Sequence, residues 1–219
     1  MSKLLLLLLT ILISCNEEKK TVEKIDKPKD DSKSRIVFFG DSLTAGLGLA
    51  SIEESYPFLI GKKLEKDGYQ FKIVNAGLSG DTTSGGLSRL DWAISKGVSV
   101  FILELGANDG MRGVPTETIE KNLKEIISKV KNKFPEAKIV LIPMKTFPNM
   151  GAAYSKKFEK VFLKVASDEN ITLTKFLLER VAGIKNLNQA DGIHPTAEGH
   201  KLMAETIYSD IIKVIKTHD

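Results

Sequence analysis

The sequence predicts a doubly wound, three-layer α/β/α sandwich built on a parallel sheet of about five strands. Three observations carry this. Short apolar, β-branched runs recur along the chain, and amphipathic stretches of helical length separate them. The runs are also apolar throughout rather than alternating, as strands are when helices cover both faces of a sheet.

The first run is Arg35 to Phe39 (RIVFF), stopped by Gly40. Phe71 to Ala76, Val98 to Leu105 and Lys138 to Pro143 repeat the pattern. Helices are predicted at Tyr56 to Asp67, Gly86 to Lys96, Pro115 to Phe134, Tyr154 to Asn170 and Thr196 to about Lys216. In the third of these, Ile119, Leu123, Ile126, Ile127 and Val130 recur at helical spacing and mark one buried face.

Ahead of this domain lie two segments of different composition. Met1-Ser2-Lys3 is a short positive start, and Leu4 to Ile13 is apolar except for Thr10. Ten helical residues cover about half of a bilayer core, so residues 1–15 read as a signal segment and not a membrane span. Residues 16–34 carry six acidic and six basic side chains and almost nothing apolar. Such a stretch cannot bury enough surface to offset its ordering entropy and is expected to be a disordered tether. The folded domain is therefore expected over residues 35–219.

Composition narrows the function. The 219 residues are 42% hydrophobic and 27% charged, which suits one globular domain with a sizeable core. A net charge of +4 is spread along the chain without a basic block, so nucleic acid is excluded as a partner. Cys15 is the only cysteine, which excludes an internal disulfide, a cysteine metal site and a thiol nucleophile within the domain.

In doubly wound folds, ligands gather beyond the carboxyl ends of the strands. Four glycine-rich polar loops stand at or near those ends. They are Gly40 to Gly46 (GDSLTAG), Asn75 to Thr83 (NAGLSGDTT), Gly106 to Gly110 (GANDG) and Asp191 to Pro195 (DGIHP). Each alone reads as an ordinary turn or helix cap. Together they hold the parts of a hydrolytic site.

A serine hydroxyl needs an imidazole to take its proton, and the imidazole needs a carboxylate to fix its tautomer. Among three histidines, His218 is next to the terminus and His200 falls inside the last helix, which leaves His194. Asp191 lies three residues before it, and Ser42 is the nucleophile candidate. Backbone approach at Gly80, the Asn108 carboxamide and the Ser42 amide fit the donors of an oxyanion hole.

The blocks GDSLTAG, SGDT, GANDGMRG and DGIHP resemble, in order and wording, those of the SGNH (GDSL) hydrolase family. They are similar to the branch containing bacterial arylesterases and acyl-CoA thioesterase/lysophospholipase enzymes. The resemblance covers essentially everything from Arg35 onward. It implies a flavodoxin-like strand order, Ser42, Asp191 and His194 as a triad, and Ser42, Gly80 and Asn108 as oxyanion donors. It implies no cofactor and no metal, and a small-molecule or lipid ester as substrate. Ala107 departs from the glycine that branch often carries there. A carbohydrate acetylesterase of the same family, or a non-catalytic lipid-anchored binding protein, is the alternative. A Gly-x-Ser-x-Gly elbow is absent, which argues against an α/β-hydrolase, and three histidines are too few for a dinuclear phosphoesterase.

Leu12-Ile13-Ser14-Cys15 resembles the lipobox of bacterial lipoproteins. This implies lipidation at Cys15, export, and anchoring to the cell envelope, at its periplasmic face in a Gram-negative cell.

Overall fold

The computed structural model describes residues 34–216, so Cys15 and the charged stretch up to Lys33 lie outside the described residues. Five strands form one parallel sheet: β1 (Arg35–Gly40), β2 (Lys72–Gly77), β3 (Val100–Glu104), β4 (Lys138–Leu141) and β5 (Thr172–Leu173). Their order is β2-β1-β3-β4-β5, with Phe39 beside Ala76 on one side and Leu103 on the other. This is the flavodoxin-like order expected from the family resemblance, and it switches direction between β1 and β3.

Among the described residues, seven α-helices accompany the sheet: α1 (Ser42–Ala45), α2 (Tyr56–Lys66), α3 (Thr83–Ala93), α4 (Ala107–Met111), α5 (Thr116–Lys133), α6 (Ala152–Asp168) and α7 (Ala197–Lys216). The pairs α3–α5 and α5–α6 pack together, and α2 packs on α7. Right-handed crossovers explain the two layers. The β1-to-β2 connection runs one way along the sheet and the later ones run the other, so their helices fall on opposite faces.

The core follows the sequence pattern. Phe38, Phe39, Phe101, Ile102, Val140 and Leu141 are buried in the strands. The α5 stripe of Ile119, Leu123, Ile126, Ile127 and Val130 is buried without exception. Local signals set the boundaries. Pro57 stands in the first turn of α2, where its missing N–H costs nothing. Thr82 caps α3 by accepting from the Gly85 amide at 3.1 Å, which starts that helix three residues before the expected Gly86.

Three expectations change. The GDSLTAG and GANDG segments, expected as loops, wind into α1 and α4. The fifth strand, which no apolar run marked, is the two-residue Thr172–Leu173 at the sheet edge. An edge strand with both residues only half-buried needs no long hydrophobic run.

Candidate active site

Ser42 opens α1 directly after β1, and Asp41 caps that helix by accepting from the Leu43 amide at 3.0 Å. The close seat of α1 against β2 depends on Gly77, where a Cβ would stand 2.2 Å from the Ala45 nitrogen. The serine is thus presented at the carboxyl end of the sheet, at the strand-order switch.

His194 reaches it from the far end of the chain. Its Nε2 lies 3.0 Å from Ser42 Oγ, across 152 residues of sequence. Its Nδ1 lies 2.6 Å from Asp191 Oδ2. The carboxylate only accepts, so Nδ1 carries the proton and Nε2 presents a lone pair to the serine hydroxyl. Asp191 Oδ1 accepts from the Ile193 and His194 amides, each at 3.0 Å, which bends the loop back so that residues three apart meet. The His194 amide, then its ring, then the Ile193 amide hold the Asp191 carboxyl down to about 2. It is a carboxylate at any ordinary pH.

This loop is clamped from below. The Gln189 amide donates to His194 O at 2.7 Å, and its side-chain Nε2 donates to Leu47 O at 2.7 Å and Pro195 O at 2.9 Å. An antiparallel bridge joins Asn188 to Pro195. The loop carrying His194 is therefore tied to the segment that follows α1.

Asn108 lies in the first turn of α4, 7% exposed, and its Nδ2 donates to Asp41 Oδ2 at 3.1 Å. The amide has two N–H groups, and this bond uses one of them. Gly80, at φ 81°, is exposed on the β2–α3 loop, and its carbonyl accepts from Arg112 Nη2 at 3.2 Å. Ala107 packs against the core at the start of α4, so the methyl group at this position is accommodated. Among the residues expected at the site, Ser42, His194 and Asp191 form a continuous hydrogen-bonded chain, and Asn108 bonds to the residue before Ser42. Gly80 stands on the neighbouring strand-end loop.

Several supporting residues escaped the sequence reading. Arg89 donates through Nε to Asp81 at 2.7 Å, through Nη1 to Ala76 O at 2.9 Å and through Nη2 to Gly40 O at 3.0 Å. Its guanidinium carbon lies 4.1 Å from the centroid of the Phe39 ring. One side chain thereby binds the carboxyl ends of β1 and β2. Asp109 is buried and accepts from the Thr83 amide at 2.8 Å and hydroxyl at 2.7 Å, joining α4 to α3. Glu104 closes an otherwise apolar strand, and a carboxyl in such a run is the signal that could have revealed it.

Beside α4, Met111, Phe147, Asn149 and Met150 line an open cleft of about 530 Å³. Met111 and Phe147 remain exposed, as do Leu78 and Ile193 on the loops carrying Gly80 and His194. A larger cavity of about 750 Å³ lies at the amino ends of β4 and β5, lined by Lys131, Lys138 and Asp210. It is at the opposite end of the sheet from Ser42.

Residues 38–202 match the GDSL-like Lipase/Acylhydrolase family. The chain is 35% identical over 174 residues to the Esterase TesA of Pseudomonas aeruginosa, covering 79% of this chain and 85% of that protein. It is 34% identical over 183 residues to an arylesterase of Vibrio mimicus, covering 83% and 90%. Among solved structures, it resembles the psychrotrophic esterase EstA from Pseudoalteromonas sp., described as inhibited by monoethylphosphonate. That likeness has a TM-score of 0.78 and 32% identity, over 84% of this chain and all of that one.

Proposed function

Because the chain belongs to the GDSL-like lipase/acylhydrolase family and is a serine ester hydrolase, we propose that Ser42, His194 and Asp191 are its catalytic triad. The observation that carries this is the unbroken relay of 3.0 Å from Ser42 to His194 and 2.6 Å from His194 to Asp191. In this reading His194 Nε2 takes the serine proton as Oγ attacks the ester carbonyl. Asp191 stabilises the resulting imidazolium. The Ser42 and Gly80 amides and the free N–H of Asn108 hold the tetrahedral oxyanion. Collapse expels the alcohol, which takes its proton from His194. Water then repeats the sequence and releases the acid.

The substrate side of the proposal is an acyl ester, and thioesters are open to the same chemistry. The apolar cleft of Met111, Phe147 and Met150 supports it, because an acyl chain gains by leaving water there. Ser42→Ala is expected to fold and to lose nearly all hydrolysis of a chromogenic short-chain ester. A variant that kept its turnover would overturn the triad.

We further propose that the protein is exported and held to the cell envelope by lipid on Cys15. The signal-like start, the cysteine at its end and the charge-balanced tether support this reading. Acyl chains on that cysteine would give stable anchoring once two or more are present. No helix among the described residues is long and apolar enough to cross a membrane. Ser34 enters the domain at the amino end of β1, opposite the Ser42 rim.

A further inference from the structure

Beneath the nucleophile loop runs a chain of buried polar groups that the chemistry above does not use. Glu104, the last residue of β3, is fully buried. Its Oε2 accepts from the Thr44 hydroxyl at 2.8 Å and the Asp41 amide at 3.2 Å. The Thr44 hydroxyl also lies 2.8 Å from that of Tyr56. Glu104 Oε1 is buried and receives no N–H or O–H from any described residue. The Asp41 carboxyl, itself 1% exposed, belongs to the residue whose amide donates to Glu104 Oε2, so the two buried carboxyls are neighbours.

Two adjacent buried carboxyls cannot both ionise without a cation, because like charges repel and neither is hydrated. The ionisable groups around them supply none. Arg89 is committed to Asp81 and two carbonyls. His200 accepts from the Tyr56 amide at 3.2 Å and is kept neutral by burial. Tyr56 is an un-ionised phenol, and His194 is engaged with Asp191 and Ser42. An oxygen with no donor and a carboxylate beside it is the arrangement of a shared proton.

We propose that Glu104 is a positioning residue for the oxyanion hole. As a neutral acid it donates to the Asp41 carboxylate, which holds one N–H of Asn108 and leaves the other directed to substrate. The proposal rests on the reading of Asn108 as an oxyanion donor. The order of ionisation agrees with it. Burial first, and the Asp41 charge second, push Glu104 well above the usual carboxyl range. Burial raises Asp41 to about 6, while hydrogen bonds from the Leu43 amide, Asn108 and Glu104 draw it back. Asp41 therefore ionises first and the proton stays on Glu104.

Glu104→Gln and Glu104→Ala separate this role from a structural one. The glutamine amide can donate to Asp41 as the acid does, so E104Q is expected to keep kcat within about threefold of the wild type. E104A is expected to lower kcat roughly tenfold with KM nearly unchanged, less than the ~10²–10³ lost with a donor itself. Added to Asn108→Ala, E104A is expected to cost less than about twofold, because both act through one interaction. Infrared spectra at pH 7 are expected to show the carbonyl stretch of an un-ionised carboxylic acid that E104Q lacks, a readout independent of turnover. If E104A does not fold, E104Q and the infrared band still decide. Absence of the band, or an E104Q as impaired as a folded E104A, would overturn the shared proton. Full activity in Asn108→Ala with the band intact would overturn the donor reading and the positioning role while leaving the proton in place.

Discussion

Gln189 Nε2 donates to Leu47 O at 2.7 Å, joining the loop of His194 to the segment after Ser42 across 142 residues of sequence. The bond matters because Ser42 and His194 come from opposite ends of the domain, and their 3.0 Å separation depends on how those two loops are held. Removing it with Gln189→Ala should lower kcat roughly tenfold, within the ~10² that a 1 Å misplacement can cost. Gly48→Ala should act alike, since its Cβ would fall 2.1 Å from Gln189 Oε1 and its φ is 78°. Steady-state kinetics check both. Unchanged kcat in both variants would show that the loop holds without the clamp.

Arg89 is expected to carry stability more than turnover. Its pair with Asp81 is largely buried, with side chains 17% and 5% exposed. Arg89→Ala leaves a buried carboxylate and two strand-end carbonyls without their donor, a loss of about 3–5 kcal/mol for breaking a buried pair. Lysine cannot serve all three acceptors from one compact ammonium, so Arg89→Lys should recover only part. Urea denaturation measures this. A change below about 1 kcal/mol, the range of exposed pairs, would contradict it.

The pH dependence of stability contains an opposed pair. His200 is lowered from 6.5 to about 4, by burial first and then by the charge of His194. The unfolded chain thus binds the proton more readily between those values, and stability from this group falls as pH drops from 6.5 towards 4. Asp41 is raised from 3.8 to about 6, so its contribution runs the other way and falls as pH rises through that window. Glu104, which burial also holds above the usual carboxyl range, acts with Asp41 and against His200. His200→Asn removes one side of the balance. The stability gap between wild type and variant should shrink by roughly 3 kcal/mol from pH 6.5 to pH 4. A gap independent of pH would contradict the buried neutral imidazole.

The sheet, the long helices and the α5 stripe were legible in the sequence because each depends on periodicity within one segment. Ser42, Asp191, His194 and Asn108 were legible because their loops carry residue types that hydrolytic chemistry requires. Thr172–Leu173 was not, since a two-residue edge strand leaves no apolar run. Neither was Arg89 or Gln189, whose partners are mostly backbone carbonyls distant in sequence or on another loop. Nothing in the identity of Ala76, Gly40 or Leu47 announces that its carbonyl needs a donor. Glu104 stands between these cases, visible as a charge in the strand VFILE yet without a partner until α1 was placed beside it.

The lipid anchor is tested in a lipoprotein-processing bacterium. Wild-type protein should fractionate with membranes and incorporate labelled palmitate, and Cys15→Ala should abolish the label. A chain beginning at Ser34 should be soluble and fully active. Unlabelled, soluble wild-type protein would refute the anchor and leave the triad untouched.

Covalent capture of the nucleophile tests the central claim most directly. Intact protein treated with an organophosphonate ester should gain one phosphonyl group, lose ester hydrolysis in proportion, and yield a single modified peptide with the group on Ser42 Oγ. Ser42→Ala should take up none. Modification of another serine, such as the exposed Ser79 on the neighbouring loop, with Ser42 unmodified, would contradict the account.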